Sequence, residues 1–178
     1  MFSFAVAENE TWANNATGQL RQLFQIHLAG TEASLKDRIP VLEWALSKNR
    51  EDFERVAVLA MITGLDNHHF HRSGGPENQG SGAPLKDYVP SGKEVHEYWK
   101  TLLAFFKSIA KKDTSNGELA RKEFTRNVRI LIRDGFLDEI ENFIREVIID
   151  FKGAWPDLTN ALRRAIAYEV KGMSVLVT

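Results

Sequence analysis

Apolar residues recur every three or four positions over most of the chain, which is the spacing that places them on one face of an α-helix. No segment shows the two-residue alternation of a half-buried strand. Short polar links join several neighbouring segments, as in antiparallel helical hairpins. We therefore expect an all-α fold of about seven helices stacked in antiparallel pairs, as a bundle or an irregular α-solenoid. The predicted helices span approximately residues 8–28, 34–48, 51–63, 93–111, 118–133, 137–151 and 155–170.

The helical pattern is interrupted between Gly64 and Gly92. Six of the 12 glycines, three of the five prolines and three of the five histidines fall in this stretch. A segment of this length without regular structure is uncommon inside a compact domain, and such loops are often functional. Apolar residues within it favour a packed loop over a free linker, namely Phe70, Leu85, Tyr88 and Val89. We expect one long ordered loop over residues 64–92.

Length and composition reduce the number of functions that this chain could have. A chain of 178 residues is typical of one domain, and its net charge of −1 disfavours a general nucleic-acid or anionic-membrane binder. The absence of cysteine excludes disulfides, thiolate nucleophiles and cysteine-ligated zinc. The first residues lack a basic signal-peptide region, and no apolar run is long enough to span a bilayer, so we expect a cytoplasmic protein. Because the chain ends in the apolar run Val175–Thr178, we expect residues 1–178 to be a single helical domain excerpted from a longer polypeptide.

The histidines of the 64–92 loop suggest a metal site. His68, His69 and His71 lie close to Asp66 and Glu77, and imidazole and carboxylate groups are good ligands for zinc, nickel or iron. A metal-dependent hydrolase is therefore one alternative. However, neither a helical HExxH motif nor a complete spaced ligand set is present, and loop histidines more often cap helices. We expect no metal.

A phosphate loop is also disfavoured, although the segment from Gly75 to Gly80 has two glycines five positions apart. The positions that require lysine and a hydroxyl residue are Ser81 and Gly82, and no strand precedes the segment. We expect no nucleotide site and no cofactor.

A second alternative is a ribonuclease. Arg21 and His27 match the R-x(4–6)-H spacing of helical HEPN ribonucleases, in which arginine and histidine project from one helix end toward an RNA phosphate. The polar residue usual after the arginine is only partly matched by Gln22. His27 also lies at a position where the apolar face of the predicted helix would be expected to carry an apolar residue.

A basic stripe follows one face of the predicted helix over 118–133, and it could bind phosphates. Acidic residues on the next helix favour mutual neutralisation instead. The stripe consists of Lys122, Arg126, Arg129 and Arg133, and the acidic residues are Asp138, Glu139, Glu141 and Glu146. Four aromatic residues are predicted to lie in the core, namely Trp44, Trp99, Phe105 and Phe106.

Two segments carry a resemblance to a known class. Ala7–Gly18 leads into Leu23-Phe24 and Gly30–Ala33, and Phe70–Gly80 leads into Pro84–Pro90. Together they resemble the α-helical, repeat-like C-terminal region of large multidomain bacterial STAND-type NTPases, which are associated with anti-phage defence. In that family the helical region senses a ligand or regulates the ATPase, while the nucleotide-binding motifs and the effector lie elsewhere. No catalytic residue carries over to this chain.

The sequence thus favours a non-catalytic helical scaffold, or a ligand-sensing and regulatory segment, of a larger bacterial NTPase-type protein. Its partners are expected to be another protein or other domains of the same chain. The predicted binding residues all lie in the loop: His69, His71, Arg72, Glu77, Asn78, Gln79, Lys86 and Asp87.

Overall fold

A computed structural model describes residues 1–9, 15–66, 86–153 and 155–175, with side chains described as far as residue 168. These residues form helices and connections only, and no strand occurs among them. The all-α prediction is confirmed. The helices are α1 (Phe2–Val6), α2 (Ala16–Gln22), α3 (Leu35–Ser47), α4 (Glu51–Leu65), α5 (Gly92–Ala110), α6 (Ser115–Arg133), α7 (Leu137–Phe151) and α8 (Pro156–Val175).

The chain forms two compact units, residues 1–102 and residues 103–178, and the boundary falls within α5. In the first unit, α4 contacts α1, α2 and α3, and α1 also contacts α2. In the second unit, α6 contacts both α7 and α8. The neighbouring pairs α3–α4 and α6–α7 are the expected hairpins, joined by links of only a few residues. The single-domain assignment of residues 1–178 stays a prediction.

Each unit has its own apolar core, because the helices turn their three-to-four-residue stripes toward one another. The first core includes Leu20, Leu42, Val58, Met61 and Trp99, all nearly inaccessible to solvent. In the second core, the rings of Phe124 and Phe143 stack in parallel with their centroids 3.9 Å apart. Phe106 lies 6.5 Å from Phe143 and is fully buried.

Side-chain caps mark the starts of several helices. The Asn15 side chain accepts a hydrogen bond from the Gly18 amide at the start of α2, and Thr114 accepts one from the Gly117 amide at the start of α6. Reciprocal bonds between Ser34 and Asp37 form a capping box on α3. These bonds satisfy amide groups that a helix leaves without an internal partner.

The first predicted helix, over 8–28, is wrong. The helix α2 ends at Gln22, and residues 25–28 are not helical. Leu28 and Gly30 have φ angles of 52° and 71°, which turn the chain away from a helical path. The periodicity of the sequence favours a longer helix. Instead, side chains of α3 and α5 donate hydrogen bonds to the backbone carbonyls that follow α2.

Two positions on α3 depart from the predicted apolar face. Arg38 is only 4% exposed, whereas Trp44, which was expected in the core, is 42% exposed. Trp44 instead lies at the surface, edge-on to Phe2 and Phe53, with centroids 5.7 and 5.6 Å away. Trp99 and Phe106 are buried as predicted. The Lys48 ammonium lies over the Trp44 ring, so these two residues together form a surface patch with aromatic and cationic character.

Candidate functional site

The C-terminal end of the predicted loop is bound to the turn that follows α2. Three hydrogen bonds hold Lys86–Tyr88 against Gly30–Glu32, and we call these six residues the loop anchor. The Gly30 amide donates to Asp87 Oδ1 at 2.7 Å. The Lys86 amide donates to Glu32 Oε1 at 3.0 Å, and the Tyr88 amide donates to the Thr31 carbonyl at 3.0 Å. The loop therefore re-enters the described structure at a fixed position.

The N-terminal end of the loop is fixed by burial against α5. The helix α4 continues through Gly64 to Leu65, beyond the predicted loop start. The Gly64 carbonyl accepts a hydrogen bond of 2.9 Å from the Trp99 indole Nε1. A Cβ at Gly64 would lie 2.7 Å from Leu102 Cδ1 and 3.0 Å from the Tyr98 hydroxyl, so only glycine permits this close packing.

Tyr88 connects the loop anchor to the start of α5. Its hydroxyl donates to Glu94 Oε1, while Glu94 Oε2 accepts bonds from the Ser91 amide at 2.8 Å and the Ser91 hydroxyl at 2.7 Å. These donors, the Tyr88 hydroxyl first, hold the pKa of Glu94 at about 2. In return, the Glu94 carboxylate raises the pKa of Tyr88. The spacing of Ser91 and Glu94 is that of a capping box, which is a signal visible in the sequence.

A buried arginine stabilises the chain segment that carries the turn of the anchor. Arg38 Nε and Nη2 donate to the Ala33 carbonyl at 3.2 and 3.0 Å, and Nη1 donates to the Gln25 carbonyl. Burial lowers the pKa of Arg38. The Gln25 Oε1 atom is buried without a hydrogen-bond partner among the described residues. The guanidinium thus replaces the helical bonds that residues 25–33 do not make.

Tyr98 binds the same segment from α5. Its hydroxyl donates to the Phe24 carbonyl at 3.2 Å, and the side chain is 3% exposed. Burial raises the pKa of Tyr98, so the phenol remains a neutral donor. The contact fixes the turn side of the loop anchor to the core of the first unit.

Only two predicted binding residues, Lys86 and Asp87, lie within the described part of the chain. Asp87 is half-buried and serves as the acceptor for Gly30, whereas the Lys86 side chain is exposed. The predicted binding and metal residues His68, His69, His71, Arg72, Glu77, Asn78 and Gln79 lie outside the described residues. Across the ranges that are described, no three histidine, aspartate or glutamate side chains converge in a way that could hold a metal ion.

The ribonuclease candidates lie in different local structures. Arg21 is in the last turn of α2, and its Nε donates to Thr63 Oγ1 at 3.0 Å. His27 is half-buried in the non-helical segment after α2. The helix that was predicted to carry both residues therefore ends before the histidine.

The basic stripe on α6 makes several separate local contacts. Arg126 pairs with Glu123, and Arg133 Nε lies 3.1 Å from Asp134 Oδ1. The Arg129 guanidinium lies 3.9 Å from the centre of the Tyr168 ring. On α7, Glu146 pairs with Lys107 of α5 at 2.6 Å and with Lys111, just after α5, at 2.7 Å. Lys122 makes no ion pair among the described residues.

Sequence reasoning did not identify Arg38, Gln25 or Tyr98. Arg38 occupies an apolar-face position between Leu35 and Leu42, and an isolated charge there looks like a break in the stripe. Its role depends on carbonyls more than ten residues away, or just before the helix, which no local pattern encodes. The pairing of Gly30–Glu32 with Lys86–Tyr88 spans more than 50 residues and is equally hidden.

No protein-family model, curated protein or solved structure matches this chain. Among the described residues, none of the helices combines the length and the apolar character needed to cross a lipid bilayer.

Proposed function

We propose that this chain is a non-catalytic, ligand-sensing or regulatory helical segment of a larger bacterial NTPase-type protein, and that the connection between α4 and α5 forms its recognition surface. The loop anchor carries the proposal. Binding residues are commonly placed on loops that a rigid scaffold positions. Here both ends of the connection are tied to the first unit, by Trp99 at Gly64 and by three hydrogen bonds at Lys86–Tyr88.

The chemistry around the anchor suits a protein partner. Lys86 extends an exposed ammonium group, and Val89 is 76% exposed beside it. The adjoining sequence supplies imidazole, guanidinium, carboxylate and amide groups in His69, His71, Arg72, Glu77 and Asn78. An exposed apolar side chain surrounded by mixed polar groups is a usual composition for a protein-binding surface. Another domain of the same polypeptide or a separate protein would serve as the partner.

The resemblance supplies the regulatory part of the proposal. The helical regions of STAND-type NTPases sense a ligand or regulate an ATPase located elsewhere in the chain. A recognition loop fixed to a helical scaffold is suited to that role, because one end of the loop is bonded to the buried Trp99 of the first unit.

The test uses the gene product that contains this chain. ATP hydrolysis is measured for the unaltered protein, for the triple variant His69→Ala, His71→Ala and Arg72→Ala, and for a control variant, Lys36→Ala with Lys48→Ala, which changes exposed residues of α3. Regulatory coupling between sites is typically worth about fivefold or more in an equilibrium. We expect the triple variant to change the hydrolysis rate by about that factor without lowering the thermal midpoint.

Two results would contradict the proposal. One is a gene product that does not hydrolyse ATP, or whose hydrolysis responds equally to the triple variant and to the control. The other is RNA cleavage by the isolated chain that disappears on Arg21→Ala or His27→Ala, because such cleavage would make the chain an enzyme.

A further inference from the structure

A cleft in the second unit lies beside the first turns of two long helices. Its volume is about 950 Å³, and it is lined by residues 113–126 of the turn and start of α6, by Phe151 at the end of α7, and by Trp155–Asp157 at the start of α8. Both helices exceed 18 residues. The N-terminal turn of a helix concentrates partial positive charge, but here each first turn also carries a carboxylate, Glu118 or Asp157, so an anion site depends on the cationic side chains of the cleft.

Arg121 is the buried charge of this cleft. The residue is 8% exposed, and its Nη1 donates to the carbonyls of Ala110 and Lys112 at 2.7 and 2.9 Å. The guanidinium carbon lies 3.6 Å from the centre of the Phe151 ring. Among the described residues, no carboxylate lies within ion-pair distance of Arg121, although buried charges in proteins are normally paired.

The remaining donors of Arg121 are available to a ligand. Its Nε and Nη2 groups have no hydrogen-bond acceptor in the described structure, and neither is among the fully enclosed polar atoms without a partner. Arg121 is one of the residues that line the cleft, so a ligand there would lie next to these two groups. Two N–H groups on one edge of a guanidinium match the two oxygens of a carboxylate or phosphate.

Neighbouring groups complete an oxyanion site. Lys122 is exposed, lines the same cleft and has no ion pair among the described residues, whereas Arg126 is already paired with Glu123. Asp113, Glu118 and Asp157 also line the cleft. Their carboxylates favour a ligand that carries a hydrogen-bond donor or a cation besides its oxyanion, rather than a polyanion.

We propose that this cleft binds a small molecule through an oxyanion, a phosphate ester or a carboxylate, held by Arg121 and Lys122. The indole of Trp155 forms one wall and is itself fixed, because its Nε1 donates to Thr125 Oγ1 at 3.0 Å. The site is independent of the loop anchor, which belongs to the other unit.

Trp155 also supplies the measurement. Its indole N–H gives a resolvable signal in a ¹H–¹⁵N correlation spectrum of the full chain, and the variant Trp155→Phe assigns that signal. The labelled protein is titrated with sodium phosphate and separately with sodium glutamate, at constant ionic strength. We expect a saturable shift of the Trp155 signal with at least one of them, and the tighter of the two identifies the oxyanion.

The decisive variant is Lys122→Gln, matched by Arg163→Gln. Both residues are exposed cations of the second unit, but only Lys122 lines the cleft. Lys122→Gln is expected to weaken binding by about tenfold, the value of one charge-assisted hydrogen bond. Arg163→Gln is expected to change it by less than about twofold.

Two outcomes of these titrations would contradict the proposed oxyanion site. A signal that does not saturate with either anion, or an equal loss of affinity in both variants, would overturn the proposal, because the shift would then reflect unspecific charge. Arg121→Lys keeps the charge but loses the paired donors, and it should also weaken binding. If that variant fails to fold, the comparison of Lys122→Gln with Arg163→Gln still decides the matter.

Discussion

The two units each bury one arginine against backbone carbonyls, but they use it differently. Arg38 is 4% exposed and donates from Nε, Nη1 and Nη2 to the carbonyls of Ala33 and Gln25. Arg121 is 8% exposed and donates from Nη1 alone, to Ala110 and Lys112. Arg38 is almost inaccessible to solvent, whereas Arg121 is one of the residues that line the cleft.

The difference shows that burial alone does not indicate what a buried charge does. A guanidinium whose three nitrogens all donate to protein carbonyls has a structural role, and its removal leaves those carbonyls without donors. A guanidinium with donors to spare, next to a cavity, retains the capacity to bind a further acceptor. The number of occupied donors separates the two roles.

The largest expected effect is on Arg38. Arg38→Ala removes the donors of the buried Gln25 carbonyl and the part-buried Ala33 carbonyl, so we expect a loss of about 3 kcal/mol in the free energy of unfolding. Chemical denaturation of the full chain measures it. Lys36→Ala, an exposed change on the same helix, is the control and should stay within about 0.5 kcal/mol. Equal effects of the two variants would show that Arg38 does not have this structural role.

Arg121→Ala is expected to cost less, about 1.5 kcal/mol. The variant removes two hydrogen bonds, to the buried Ala110 carbonyl and the part-buried Lys112 carbonyl, whereas Arg38→Ala removes three. Water from the cleft that Arg121 lines can replace the guanidinium at the part-buried carbonyl. The same denaturation measurement applies, with Arg163→Ala as the exposed control. If Arg121→Ala lowered the free energy of unfolding as much as Arg38→Ala does, the proposed difference between a structural arginine and a ligand-binding one would be contradicted.

The smallest effect concerns pH. The pKa of Glu94 in the first unit and that of Glu146 in the second are both lowered from 4.5 to about 2. A lowered folded-state pKa stabilises the protein above pH 4.5, and this contribution is lost as the pH falls toward 2. Glu94→Gln and Glu146→Gln should therefore each flatten the decline of stability with acid over that interval.

The contributions of these two carboxylates to stability should respond differently to ionic strength. Glu94 is held by the hydroxyls of Tyr88 and Ser91 and by a backbone amide, whereas Glu146 is held by the ammonium groups of Lys107 and Lys111. Screening weakens ion pairs more than hydrogen bonds to neutral groups. Raising the ionic strength should reduce the effect of Glu146→Gln and leave that of Glu94→Gln nearly unchanged, and the opposite order would contradict this assignment.

The sequence predicted the helices from α3 onward closely, because their periodicity and end signals agree. The helix predicted over 137–151 coincides with α7, and Gly135 has the positive φ of 88° expected of a helix end. The residue that follows α7 is Lys152, which adopts a left-handed conformation with a φ angle of 53°. Local signals in the sequence, namely periodicity and helix-end residues, thus located these helices to within a few residues.

The connections that build the sites could not be predicted in the same way. The contact between Gly30 and Asp87 joins residues 57 positions apart, and the bond between Tyr98 and the Phe24 carbonyl joins residues 74 apart. Sequence reasoning found the loop and named Lys86 and Asp87, but it missed the turn that binds them. It also noted Lys122 as part of a basic stripe while overlooking Arg121, since a single arginine near an apolar face carries no signal of its own.

The loop anchor has a consequence for how the connection between α4 and α5 can change. Because both of its ends are tied to the first unit, lengthening the connection between them costs stability through the entropy of closing a longer loop. That entropy grows with the logarithm of length, so doubling the connection costs only about 0.6 kcal/mol. Insertions there should leave the helices intact, which makes this connection a suitable place to graft a peptide or an entire small domain.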